Sequence, residues 1–77
     1  MEGKVAIVTG GAAGIGEAIV QLFIKHGAKV IIADVAEKAG RKLEESLSPA
    51  VATYVHCEVS KEEDVSAAVD VAMDKYG

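Results

Sequence analysis

Apolar positions along this chain follow two rhythms that alternate three times. Val5-Ala6-Ile7-Val8 is an unbroken apolar run, the pattern of a strand buried on both faces. From Ile15 the spacing becomes helical. Ile15, Ile19, Leu22, Phe23 and His26 share one stripe, and Glu17, Gln21 and Lys25 fall outside it. Gly27 suits the position just past that helix, where a left-handed backbone is needed. Ala28 to Ala33 predicts a second buried strand. Ala36, Ala39, Gly40, Leu43 and Leu47 predict a second helix, ended at Ser48-Pro49 because the residue before proline is pushed out of the helical region. Val51 to Val55 predicts a third strand. Ser60 with Glu63 has the spacing of a capping box, opening a helix with the stripe Val65, Ala68, Val69, Ala72 and Tyr76 and a stop at Gly77.

The order β-α-β-α-β-α with short connections implies parallel strands joined by right-handed crossovers. The expected fold class is therefore α/β, a Rossmann-type parallel sheet with strand order 3-2-1, corresponding to the N-terminal βαβαβα half of such a domain. The first two helices should cover one face of the sheet and the third the other. The 77 residues allow one small domain at most, and 51% of them are apolar. A chain this short buries only about 60% of its unfolded surface, so its stability margin is thin. In a complete fold of this class the strand Val5 to Val8 lies mid-sheet. Here it is expected to be an unpaired apolar edge, which invites association.

The segment Thr9-Gly10-Gly11-Ala12-Ala13-Gly14-Ile15-Gly16 joins the first strand to the first helix. Main-chain N–H groups and the positive end of a helix dipole at such a junction suit a pyrophosphate. Gly10 permits a tight exit from the strand, Gly14 a close approach of backbone to ligand, and Gly16 close packing of helix on strand. The N–H groups around Ile15 and Gly16 are the expected phosphate donors. A nucleoside triphosphate loop would need Lys and Ser or Thr after its last glycine, and Gly16 is followed by Glu17 and Ala18.

Asp34 ends the second apolar run, 18 positions beyond Gly16. That is close to the offset of about 20 residues at which an acid meets the adenosine ribose of a dinucleotide. A carboxylate there accepts hydrogen bonds from the ribose hydroxyls and repels a 2′-phosphate. No Arg or Lys stands at Ala12, Ala13, Val35 or Ala36 to neutralise it, so NAD is expected over NADP. Asp34 could also cap the following helix, a role compatible with the first.

The net charge is −4, and Lys4, Lys25, Lys29, Lys38, Arg41, Lys42, Lys61 and Lys75 form no basic stripe. Nucleic acid and anionic membranes are disfavoured as partners. No apolar stretch approaches the roughly 20 residues needed to span a bilayer. With one cysteine, Cys57, no internal disulfide forms, and a reducing, cytoplasmic location is expected. Cys57 is expected to be buried filler, His26 a boundary residue, and Met73 and Tyr76 packing residues. His26, His56 and Cys57 lack metal-site spacing, so no metal is expected.

KVAIVTGGAAGIG (Lys4 to Gly16), HGAKVIIADV (His26 to Val35) and YVHCEVSKEEDV (Tyr54 to Val65) together resemble the short-chain dehydrogenase/reductase family over nearly the whole chain. Within it the likeness is to plant NAD-dependent members that oxidise secondary alcohols of lignans and terpenoids. The resemblance implies that Gly10, Gly14, Ile15 and Gly16 line the pyrophosphate, that Asp34 binds the ribose, and that Val35 lies beside the adenine. It also matches Glu58-Val59 to a family Asp-Val pair, with the acid on the adenine amino group and Val on the ring. Glu58 departs from the family by one methylene. Full-length members are expected to be homo-oligomers.

The family continues into an Asn-Asn-Ala-Gly segment, a catalytic Ser and a Tyr-x-x-x-Lys pair, none of which occurs between Met1 and Gly77. The expectation is a truncated dinucleotide-binding domain with no catalytic residues of its own and no turnover alone. Three readings stand open: part of an NAD-dependent secondary-alcohol dehydrogenase, a non-catalytic dinucleotide-binding module, or a module that adds its sheet edge to a partner.

Overall fold

A computed structural model of the chain describes residues 3–10, 14–48 and 50–77. Three strands, β1 (Val5–Thr9), β2 (Lys29–Asp34) and β3 (Ala52–His56), alternate with three helices, α1 (Gly14–Lys25), α2 (Glu37–Ser46) and α3 (Glu62–Tyr76). The sheet order is β1-β2-β3, all parallel, as the alternation of periods implies. Register places Ile7 opposite Ile31 and Ile31 opposite Thr53, so β2 is paired on both edges and carries the largest buried side chains.

Side chains alternate across the sheet. Val8, Val30, Ile32, Ala52 and Tyr54 point to one face, where Val20, Phe23 and Ile24 of α1 and Ala39 and Leu43 of α2 pack on them. Ile31 and Val55 point to the other, covered by Ala68, Val71, Ala72 and Tyr76 of α3. The helices thus divide between the faces as expected. The end of α1 also matches. Gly27 adopts φ +87°, its N–H bonds the Ile24 carbonyl at 3.0 Å, and the Ala28 N–H bonds the Phe23 carbonyl at 3.0 Å. That pair of bonds closes the last turn and brings Ala28 back into the core.

The inward face of α1 differs from the sequence expectation. Val20, Phe23 and Ile24 face the sheet, whereas Ile15, Ile19 and Leu22 are exposed, Ile15 at 81%, and His26 lies outside the core. The apolar face of the helix is wide, interrupted only by the stripe of Glu17, Gln21 and Lys25, so periodicity alone could not choose between stripes one residue, or about 100°, apart. On α3, Ala68, Ala72 and Tyr76 face inward as expected, but Val65 and Val69 remain about two-fifths exposed at 40% and 41%.

The capping box is not formed. The first turn of α3 is entered through Lys61, with no side-chain cap, because a turn closed by Lys61 N–H on the Glu58 carbonyl at 2.9 Å moves the helix start past Ser60. The Asp64 carboxylate instead reaches back to the Glu58 N–H at 3.0 Å. After α2, Ser48 organises the return: its carbonyl and hydroxyl accept the N–H groups of Val51 and Ala50 at 2.9 and 3.2 Å. Pro49 lies outside the described residues. β1 forms the sheet edge, with Val5 and Ile7 partly exposed.

Candidate functional site

All three strands run the same way, so their carboxyl ends open on one rim. Open parallel sheets collect ligands at that rim. A cleft of about 300 Å³ lies there, lined by Gly10 after β1, Ala33, Asp34 and Val35 at the end of β2, and Cys57, Glu58 and Val59 after β3. Five of the eight residues singled out from the sequence therefore converge: Gly10, Asp34, Val35, Glu58 and Val59. Gly14, Ile15 and Gly16 form the first turn of α1 and do not line this cleft. Gly11, Ala12 and Ala13 lie outside the described residues.

Gly10 has φ +66°, a conformation glycine adopts without strain, and nothing would meet a side chain there. Its N–H donates to the Ala33 carbonyl at 2.8 Å, tying the loop exit to β2. Gly14 also has positive φ, +61°, at the entrance to α1. The first turn of an α-helix lacks internal acceptors for its N–H groups. Gly14, Ile15, Gly16 and Glu17 supply that turn.

Asp34 is the last residue of β2. Its Oδ1 accepts the Ala36 N–H at 2.9 Å, an Asx-type turn. Asp34 is therefore not itself the helix cap. The cap position of α2 is Ala36, and Asp34 holds that residue's N–H. The Asp34 carbonyl accepts two further bonds, from the Tyr54 hydroxyl at 2.7 Å and the Cys57 N–H at 3.1 Å. Val35 and Val59 stand more than half exposed at 55% and 61%, apolar side chains beside the cleft with little protein against them. Glu58 is exposed, and its carboxylate lies 3.6 Å from Lys61 Nζ.

Three contributors escaped the sequence reading. Ala33 and Cys57 line the cleft because the residues flanking a strand end fall at the rim with it. Cys57 is buried, as expected of filler, and burial pushes its thiol pKa up, with Asp64 adding to the effect. Tyr54 lies under α2. Its N–H donates to the Glu44 carboxylate at 2.6 Å, and the Arg41 guanidinium sits 5.6 Å from its ring centre. Burial raises its hydroxyl pKa, helped by Glu37 and Asp34 and opposed by Arg41, so it stays a donor. The available signal was Gly40: a glycine on the buried stripe of a helix implies a bulky neighbour, here the Tyr54 ring.

On the α3 face of the sheet Thr53, Lys75 and Tyr76 form a polar cluster away from the cleft residues. Thr53 Oγ1 lies 2.9 Å from the Tyr76 hydroxyl and accepts from Lys75 Nζ at 3.0 Å. Among the described residues no group of His, Cys, Asp or Glu has the makings of a metal site, and no helix is long and apolar enough to cross a membrane.

Residues 4–77 match the family model described as short chain dehydrogenase. The chain is 58% identical over its full length to "Short chain aldehyde dehydrogenase 1" of Euphorbia lathyris, spanning 27% of that protein. It is 58% identical to "Sex determination protein tasselseed-2" of Zea mays and 49% identical to "Secoisolariciresinol dehydrogenase" of Forsythia intermedia, spanning 23% and 28% of their lengths. The chain therefore spans about a quarter of the length of the curated relatives it matches. Among solved structures it resembles the 3-ketoacyl-(acyl-carrier-protein) reductase of Brucella melitensis complexed with NADH, at TM-score 0.91 and 41% identity over 99% of this chain and 31% of that one. A parallel three-stranded sheet with a glycine turn and an acid at its carboxyl rim, matched along residues 4–77, places this chain in the short-chain dehydrogenase family.

Proposed function

We propose that the chain forms the adenosine- and pyrophosphate-binding part of an NAD-dependent oxidoreductase acting on a secondary alcohol. The observation that carries this reading is the convergence of Gly10, Asp34, Val35, Glu58 and Val59 on one cleft at the strand ends. At about 300 Å³ the cleft sits at the lower bound of small-molecule sites, a size suited to the nucleoside half of a dinucleotide. The rest of the ligand runs past Gly10 toward the first turn of α1, where Gly14, Ile15 and Gly16 offer N–H groups to the pyrophosphate. Val35 and Val59 supply apolar contacts for the adenine, and Glu58 an acceptor for its amino group once its exposed pairing with Lys61 gives way. Such surface pairs are weak, about 0–1 kcal/mol.

The Asp34 carboxylate accepts the ribose hydroxyls. Charge-assisted bonds of this kind contribute about 1.5–3 kcal/mol. A 2′-phosphate meets a like charge there instead, and neither Val35 nor Ala36 brings a cation, which favours NAD over NADP. The bound dinucleotide supplies a hydride acceptor. The chain's own residues bind and orient it. They include no Tyr-x-x-x-Lys pair to move the substrate proton, so the isolated chain is expected to bind without turnover. A single buried thiol is consistent with a cytoplasmic setting.

Asp34→Arg tests the assignment. NADH affinity should fall roughly 10- to 100-fold, matching the lost charge-assisted bonds, while NADPH affinity rises. Equal NADH and NADPH affinities in the parent chain would refute the role given to Asp34.

A further inference from the structure

Three hydrogen bonds meet on Asp34, two on its carbonyl and one on its carboxylate. Its carbonyl takes the Tyr54 hydroxyl at 2.7 Å and the Cys57 N–H at 3.1 Å, while its carboxylate takes the Ala36 N–H at 2.9 Å. Of these donors only the hydroxyl comes from a side chain, and only it reaches the rim from beneath α2. We propose that Tyr54 is a positioning residue for ribose recognition: by holding the Asp34 carbonyl it fixes where the Asp34 carboxylate stands in the cleft. This inference rests on the reading of Asp34 as the ribose acceptor.

The Tyr54 ring is constrained on several sides. Gly40 leaves the recess it occupies, since a Cβ at that position would strike ring atoms Cδ1 and Cε1. Arg41 lies over the ring, and Glu44 holds the Tyr54 N–H at 2.6 Å. A phenylalanine would fill the same space in the core formed with Ile32 and Leu43. The hydroxyl is therefore dispensable for packing, and its bond is spent on one carbonyl at the end of β2. Once that carbonyl is fixed, the peptide linking Asp34 to Val35 has little freedom to turn, and the Asx turn to Ala36 sets the carboxylate relative to it. Packing of α2 on the sheet is thereby linked to the ligand side of the rim.

The test compares the chain with Tyr54→Phe, Asp34→Asn and the double variant. NADH fluorescence titration gives affinity, NADPH titration gives discrimination, and amide hydrogen exchange reports the Ala36 N–H. Tyr54→Phe should weaken NADH roughly three- to tenfold, narrow the preference over NADPH, and speed exchange at Ala36. In the Asp34→Asn background it should cost little more, because a residue acting through Asp34 is not additive with it. A purely structural role would give additive losses and unchanged discrimination, and that result overturns the proposal. So does a Tyr54→Phe chain that matches the parent in NADH affinity and Ala36 exchange. A folded parent that binds no NADH overturns the ribose reading and the positioning role together. A parent that binds, with an indifferent Tyr54→Phe, overturns the positioning role alone.

Discussion

Replacing Gly40 with alanine sets two effects of opposite sign against each other. In an exposed helix interior, Gly→Ala stabilises by about 0.8–1 kcal/mol. At Gly40 the added methyl would overlap Cδ1 and Cε1 of Tyr54 and stand 3.0 Å from Cγ. Overpacking of that kind costs about 1–3 kcal/mol. The ring cannot retreat without giving up the bond from its hydroxyl to the Asp34 carbonyl, worth about 0.5–1.5 kcal/mol net. The overpacking wins, and Gly40→Ala should destabilise the chain by about 1–3 kcal/mol. For a domain of this size that lowers the melting temperature by about 5–20 °C. Urea denaturation followed by far-UV circular dichroism measures it directly. Tyr54→Leu provides the internal control, because it removes the ring atoms that clash. In that background Gly40→Ala should turn stabilising, by about 0.5–1 kcal/mol. A Gly40→Ala chain as stable as the parent, or a penalty that persists in Tyr54→Leu, would refute the argument that the ring occupies the recess.

Two further outcomes are expected. Ser60→Ala should change stability by less than about 0.5 kcal/mol, because no capping bond forms there, whereas Asp64→Ala should cost about 1 kcal/mol through the lost acceptor for the Glu58 N–H. The reverse ranking in denaturant titrations would show that the capping box forms after all. Stability should also fall as the pH rises through the alkaline range. Burial raises the Cys57 thiol above its ordinary 9.0 and the Tyr54 hydroxyl above its ordinary 10.0. The unfolded chain therefore releases these protons first. The stabilisation is complete below about pH 9 and is lost as the pH rises through the folded-state values. Melting temperatures across that range check it, and Tyr54→Phe should flatten the upper part of the fall.

Strand and helix existence, their order and the parallel sheet were legible from the alternation of unbroken apolar runs with helical stripes, since only a sheet covered on both faces gives strands such as Val30-Ile31-Ile32-Ala33 their continuous apolar character. The arrival of Asp34 and Gly10 at the carboxyl rim of the sheet was legible as well. A residue at the end of a parallel strand must come to the rim, wherever the rest of the chain goes. Facing was not legible where the apolar face of a helix is wider than the contact it makes. Ile15 and Val20 in α1 have equal claims by composition, and packing against Val8 and Ile32 decided for Val20. Capping at α3 was a contest between two local geometries, Ser60 against the turn closed by Lys61 and Asp64, that spacing alone cannot rank. The support of Asp34 by Tyr54 is a contact between residues 20 positions apart, and it exists only because α2 carries a glycine where the ring must pass. Local sequence fixes backbone periods and strand ends, because these depend on neighbours within a few residues. Which surface of an element is buried, and which distant hydroxyl reaches a carbonyl, depends on how whole elements settle against one another.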